Sequence, residues 1–160
     1  MRGIIVRRAV LGDLKAIDHV YTNGCVDEYK TQNPRKSGKS ILELMRREER
    51  ERIREFARAI NNPKFCWLVA ESNGKIVGFS QARVERIRNK LKGFWDKAYI
   101  ERKFRNKGIG KAFGRETIDW LKRKKAKTIE GGIHIKNKAS IALCESFGLK
   151  PVAVRMFKEF

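Results

Sequence analysis

The stretch "AYIERKFRNKGIGKAFGRETIDWL", Ala98 to Leu121, changes its periodicity halfway along. Its first part continues the extended run "GFWDKAYIER" and predicts a strand. Its second part spaces Ile109, Ala112, Phe113, Thr117, Trp120 and Leu121 as one face of an amphipathic helix, closed by a basic run, "KRKKAK", that suits the negative end of the helix dipole. Between them lies "RNKGIG". A loop that enters a helix presents unpaired backbone N–H groups at the positive end of the dipole, and phosphate is the natural guest there. Gly108 and Gly110 let the backbone approach such a group, while Arg105, Lys107 and Lys111 place charge around the rim.

Two other phosphate-binding patterns are excluded. There is no G-x-x-x-x-G-K-[ST] loop, and the dinucleotide fingerprint G-x-G-x-x-G requires glycine where Phe113 stands.

Working outward, "IIVRRAV" reads as a first strand and "GDLKAIDHVY" as a helix, with Asp13 as N-cap and Leu14, Ile17, Val20 and Tyr21 on one face. Residues 23–39 read as a loop. At Ser40, "SILE" predicts a capping box opening a long helix whose charged middle, "RREERER", faces solvent. "FCWLVAES" and "IVGFSQARV" around "NGK" predict a hairpin on a tight Asn-Gly turn. After the central unit, "TIEGGIHI" reads as a strand, "KASIALCESF" as a short helix closed by Gly148, and "PVAVRMF" as a last strand. The order β-α-α-β-β-β-α-β-α-β predicts one mixed α/β domain over residues 1–160.

Composition narrows the partners. The 38 Lys and Arg against 18 Asp and Glu give a formal charge of +20, which favours anionic partners: nucleic acid or the ribosome, an acidic protein surface, or a polyphosphorylated ligand. A lysine-rich solvated surface accounts for the same excess. Cys25, Cys66 and Cys144 form no CxxC pair, so neither zinc nor a disulfide framework is expected, and a reducing cytoplasm fits. No segment reads as a signal sequence or a membrane span.

Arg105-x-x-Gly108-x-Gly110 resembles the diphosphate loop of the GCN5-related N-acetyltransferase (GNAT) superfamily, and the likeness extends along the chain. "VRRAVLGDLKAI" looks like that superfamily's first strand and helix, and "WLVAES" with "NGKIVGFSQARV" like its second and third strands. "NKASIALCESFGLKPV" is similar to its later N-x-x-[AS]-x-x-x-Y-x-x-x-G-F segment. The resemblance implies a single α/β domain with a mixed, mostly antiparallel central sheet flanked by helices, and acetyl transfer from acetyl-CoA to an amine, with CoA as product and no metal. It implies that the backbone near Ile100 holds the acyl and pantetheine part, and that Arg105, Asn106, Lys107, Gly108, Ile109 and Gly110 wrap the pyrophosphate. Lys107 or Lys111 would reach a further phosphate, Asn137 matches the family's asparagine and Ser140 the small residue beside it.

Aminolysis of a thioester needs a base for the amine, a donor for the developing oxyanion and an acid for the leaving thiolate. His134 and Glu130 are expected on one face of a shared strand, with His134 first as base, Glu130 second and Glu101 third; Asp96 is a further carboxylate. Each also reads as a solvated or ion-paired side chain. The family's tyrosine acid is replaced by Cys144, which can donate a proton or simply pack beside Leu143 and Phe147. The acceptor is expected to be a small-molecule or protein amine; a polycation would be repelled by the positive body unless acidic residues such as Asp27 and Glu28 line the entrance. Monomer and homodimer both remain open, as do a CoA-binding module without catalysis and a basic protein associated with nucleic acid.

Overall fold

A computed structural model of the chain describes residues 3–35, 37–154, 156 and 158. Strands β1 (Ile4–Arg8), β2 (Phe65–Ser72), β3 (Lys75–Ile87) and β4 (Lys90–Ile100) pair antiparallel in chain order, and β5 (Thr128–Glu130) joins β4 in parallel. A parallel neighbour needs a crossover, which helix α3 (Ile109–Arg123) supplies. Asn73 and Gly74 take φ values of 49° and 74° in the turn that the Asn-Gly signal implies, and Arg88 and Asn89, at 45° and 61°, join β3 to β4.

Side-chain alternation explains the layers. Along β2, Trp67 and Val69 face α1 (Leu14–Gln32) and α2 (Lys39–Ile60), where they pack with Ile17, Val20, Phe56 and Phe79. Cys66, Leu68 and Ala70 face the other way, against Ile109, Phe113 and Trp120 of α3. Helix α4 (Lys138–Glu145) lies on that second face, bringing Leu143, Cys144 and nearby Phe147 to the same cluster. Gly148, at φ 83°, ends α4 as expected, with the Leu149 N–H returning to the Cys144 carbonyl.

Several expectations are corrected. Helix α1 continues through the expected loop to Gln32. Gly24 is there for packing, because a Cβ would stand 2.0 Å from Cδ1 of Tyr99. Asp13 makes no side-chain cap bond to α1; its carboxylate accepts from Arg7 Nη1 at 2.7 Å, Arg7 Nη2 at 2.9 Å and the Val10 N–H at 2.9 Å. Helix α2 begins before Ser40, with Gly38 as N-cap, so the expected capping box does not form. Its charged middle is not wholly solvated: Arg52 is buried, donating to Asp18 at 2.6 Å and to the Met45 carbonyl at 2.9 Å.

The last two expected strands differ as well. β5 stops at Glu130, so His134 lies outside it. Pro151–Val154 and Met156 join no strand; Val152, Val154 and Met156 remain exposed, without a paired edge to alternate against. Arg155 and Phe157, also in that expected strand, lie outside the described residues. No helix among the described residues is long and apolar enough to cross a membrane.

Candidate active site

The site begins at an irregularity in β4. Gln81 of β3 opposes Lys97 and Ala82 opposes Trp95, leaving Asp96 as an extra residue on β4. The pairing of β4 with β5 ends just before it, at Phe94 and Glu130. Gly131 still lies close, since a Cβ there would stand 3.2 Å from the Trp95 carbonyl oxygen, and beyond it the two chains part. The result is a cleft of about 100 Å³ lined from both faces of the sheet, by Glu28, Lys97 and Tyr99 on the α1 side and by Trp95, Leu143 and Cys144 on the α4 side. Residues Gly131–His134, Asn137 and Ser140 form its far wall.

Strand β4 offers backbone groups to this cleft. The Glu101 N–H donates to the Val77 carbonyl, so by antiparallel alternation Tyr99 also pairs toward β3, while Ala98 and Ile100 turn their backbone groups toward the opening. The Ile100 carbonyl accepts from Arg105 Nε at 2.9 Å. What remains free to face a ligand at Ile100 is its N–H.

Beyond β4 the chain makes one helical turn at Arg102–Phe104 and reaches the glycine loop. Gly108 is the N-cap of α3 with φ 82°, a left-handed position that glycine adopts without strain. Gly110 has no room for a side chain, because a Cβ would meet Leu143 Cδ2 at 3.0 Å. Among the described residues no acceptor takes the backbone N–H groups from Asn106 to Lys111. Lys107 lies over the Phe104 ring at 5.0 Å, and neither it nor Lys111 has an acidic partner among the described residues. Arg105 Nη2 donates to Asp27 at 2.6 Å, which pins the loop to α1, and Arg102 Nη2 meets the same carboxylate at 3.2 Å.

The expected catalytic residues separate into two groups. His134 and Cys144 line the cleft, whereas Glu130 and Glu101 do not. Glu130 pairs with Lys92 beside the β5 pairing, and Glu101 lies between Lys75 and Lys103, each at 3.9 Å. The His134 Nδ1 accepts the Lys136 N–H at 3.2 Å, so the neutral ring carries its proton on Nε2. The Cys144 thiol is pushed above its ordinary value by burial and packs against the α3 core. Asn137 uses its Oδ1 to cap α4 through the Ser140 N–H at 3.2 Å, which leaves its amide NH₂ for the cleft.

Glu28 and Tyr99 form a pair that sequence spacing does not reveal, being 71 positions apart. The Tyr99 hydroxyl donates to Glu28 Oε2 at 3.0 Å, and Gln32 Nε2 supports Oε1 at 3.3 Å. Burial raises the Tyr99 phenol above its ordinary value, helped by Cys25 and Glu28, so it stays a donor. Glu28 belongs to the part of α1 expected to be loop, and no local pattern brings it to β4. Among the described residues no group of three His, Cys, Asp or Glu side chains is arranged to hold a metal ion.

The sheet parts beside a glycine loop whose backbone N–H groups are free to meet a phosphate. The model of the acetyltransferase (GNAT) family matches residues 26–149, so the chain belongs to that family, whose enzyme class is the N-acetyltransferases. No curated protein matches the chain. Solved structures share its fold. A transcriptional regulator from Bacillus halodurans C-125 is 17% identical with a TM-score of 0.75 over 98% of this chain and 99% of its own. PaiA N-acetyltransferase from Thermoplasma acidophilum, in complex with coenzyme A, is 20% identical with a TM-score of 0.74 over 92% and 89%. An aminoglycoside antibiotic 6'-N-acetyltransferase from Acinetobacter baumannii is 13% identical with a TM-score of 0.69 over 99% of each chain.

Proposed function

We propose that the protein is an acetyl-CoA-dependent N-acetyltransferase in which a primary amine attacks the thioester directly. The observation that carries this reading is continuity: β4 lines the cleft with its last residues and delivers the chain into the unpaired N–H groups of the glycine loop. The coenzyme A bound by the Thermoplasma acidophilum relative supports the choice of ligand.

The residues present fit that ligand. The N–H groups from Asn106 to Lys111 are unengaged, Gly108 supplies the left-handed turn into α3, and Lys107 and Lys111 have no acidic partner among the described residues. In this reading those N–H groups hold the pyrophosphate and the two lysines hold phosphate oxygens. Arg105 orients the loop through Asp27 and the Ile100 carbonyl. When bound, acetyl-CoA supplies the activated acetyl group.

The protein's part is orientation and proton handling. The N–H groups of Ala98 and Ile100 are the donors turned toward the opening, suited to a carbonyl oxygen that gains negative charge. The Glu28 carboxylate accepts the amine's proton, held by Tyr99 and Gln32 with lone pairs to spare. His134 offers its Nε2–H at the same opening. A leaving thiolate needs little acid assistance, because a thiol titrates at about 8.5. Cys144 is therefore assigned to packing.

Thiol release from acetyl-CoA in the presence of a primary-amine panel tests the reading. The expected result is amine-dependent release, with Glu28→Gln lowering kcat by about a hundredfold while acetyl-CoA affinity is kept. Wild-type turnover in Glu28→Gln would remove Glu28 from the proton path. Binding of acetyl-CoA without release for any amine would favour a CoA-binding module without catalysis.

A further inference from the structure

Two runs of the chain hold cations with no acid among them: "RIRNKLKGFW", residues 86–95, and "WLKRKKAKTI", residues 120–129. They are distant in sequence and adjacent in the fold. The Lys127 N–H donates to the Leu91 carbonyl at 2.8 Å, and Lys92 stands opposite Thr128 where β5 joins β4. Leu121 of α3 packs against Gly93, where a Cβ would meet its Cδ2 at 2.6 Å. The β3–β4 turn and the C-terminal end of α3 therefore make one surface.

Its charge is one-sided. Of the nine cations in the two runs, only Lys92 meets an acid among the described residues, Glu130. With Arg83 and its two carboxylates, Glu85 and Asp96, and with Asp119 one turn before the end of α3, ten cations still face four acids. The "RREERER" stretch of α2, by contrast, nearly balances. The helix dipole accounts for Lys122 and Arg123 in the last turn of α3. It does not account for the β3–β4 turn, which has no comparable dipole, nor for Lys125 and Lys127, which lie past the helix.

Backbone conformation marks the same surface. Five described residues other than glycine have a positive φ; three are asparagines, which tolerate it, and the other two are Arg88 at 45° and Lys125 at 61°. Glycine would occupy either position with less strain, and each carries a cation instead.

We propose that this end of the molecule is a second binding surface, which takes the phosphate backbone of a nucleic-acid duplex without regard to base sequence. Unpaired bases find no platform here: Trp95 and Trp120 are buried, and the Phe94 ring is covered by Arg83 Cζ at 4.1 Å. A membrane is served less well, since Ile87, 40% exposed, is the one exposed large apolar side chain in the two runs. The glycine loop lies at the other end of α3, and 15 residues at about 1.5 Å each put the two sites roughly 20 Å apart. The proposal therefore stands apart from the acetyltransferase reading.

Fluorescence anisotropy of the full chain with short labelled RNA and DNA duplexes, their single strands and phosphatidylserine vesicles tests this. Saturable duplex binding is expected, weakening on the order of a hundredfold between about 50 and 200 mM salt, as counterion release from about four phosphates requires. Arg86→Gln with Arg88→Gln, and Lys124→Gln with Lys125→Gln, should each weaken duplex binding by about tenfold and lower the salt slope by about two. Arg88→Gly with Lys125→Gly suits the backbone at both positions, so it should stay folded and weaken binding as much. Arg46→Gln with Arg50→Gln removes equal charge from exposed positions of α2 and should weaken binding less than about twofold. Saturating acetyl-CoA should leave duplex affinity unchanged. Any of these overturns the proposal: no saturable binding of either duplex, tighter binding of the single strands, binding of vesicles in place of duplexes, competition by acetyl-CoA, unchanged affinity in the turn and helix variants, or an equal loss in the α2 variant. A preference for RNA or for DNA supports it and says which duplex supplies the phosphates. A protein that binds duplexes but no acetyl-CoA loses the acetyltransferase reading alone.

Discussion

Cys144 sits where the superfamily pattern has a tyrosine acid, and its surroundings decide between chemistry and packing. Its thiol is raised by burial and is held against the α3 core, so it is protonated at neutral pH and packs as a small apolar group would. Cys144→Ser is expected to keep most of the amine-dependent thiol release, and Cys144→Tyr to be tolerated. A loss of more than about a hundredfold in Cys144→Ala, with folding intact, would make the thiol the acid. Asp13 gives a stability prediction at the same scale. The Arg7 guanidinium holds its carboxyl below the ordinary 3.8, and the backbone N–H of Val10 adds to this. A folded value below the unfolded one means stability that is present above pH 3.8 and lost as pH falls through the folded value. Asp13→Asn should cost about 1–3 kcal/mol in denaturant unfolding at pH 7 and make the acid limb shallower; an unchanged acid limb would contradict the pairing.

The glycine loop and α3 act as one element. Lys107→Ala and Lys111→Ala should each raise the acetyl-CoA dissociation constant by about threefold to tenfold, less so at high salt, with kcat nearly unchanged. Gly114 has a different role, since a Cβ there would lie 2.2 Å from Phe147 Cε2 where α3 meets the end of α4. Gly114→Ala should destabilise the fold by about 1–3 kcal/mol, measured by urea unfolding, because two packed elements must move apart. Element by element, sequence alone reads well where the chain speaks locally. The Asn-Gly hairpin, the α3 face and the Gly108–Gly110 loop are all legible, each carried by adjacent residues. Reading fails where tertiary contacts override local signals. Gly24 falls in the stretch that reads as a loop and is a helical seat for Tyr99; Arg52 looks solvated and is buried on Asp18; His134 looks like a strand residue, yet β4 has already turned away at its Asp96 bulge.

For the whole molecule, the element order and the central unit were legible from the sequence, while the Glu28–Tyr99 pair and the cavity between α2 and the sheet were not, because they join α1 to β4 and α2 to three strands. Alkaline pH probes that assembled interior. Burial raises the thiols of Cys25, Cys66 and Cys144 above 9.0 and the phenols of Tyr21 and Tyr99 above 10.0. Folded values above unfolded ones mean stability that is intact below about pH 9 and lost as pH rises further, which thermal unfolding between pH 8 and 11 would show as a falling midpoint. The charge of +20 leaves nucleic acid as the other partner, with a basic run at the end of α3 that includes Lys122, Arg123 and Lys124. A calorimetric titration of the protein with acetyl-CoA, run beside one with a short RNA duplex, tests the central claim most directly. The account predicts one acetyl-CoA per chain, displaced by CoA and weakened by Lys107→Ala; saturable RNA binding with no heat from acetyl-CoA would contradict it.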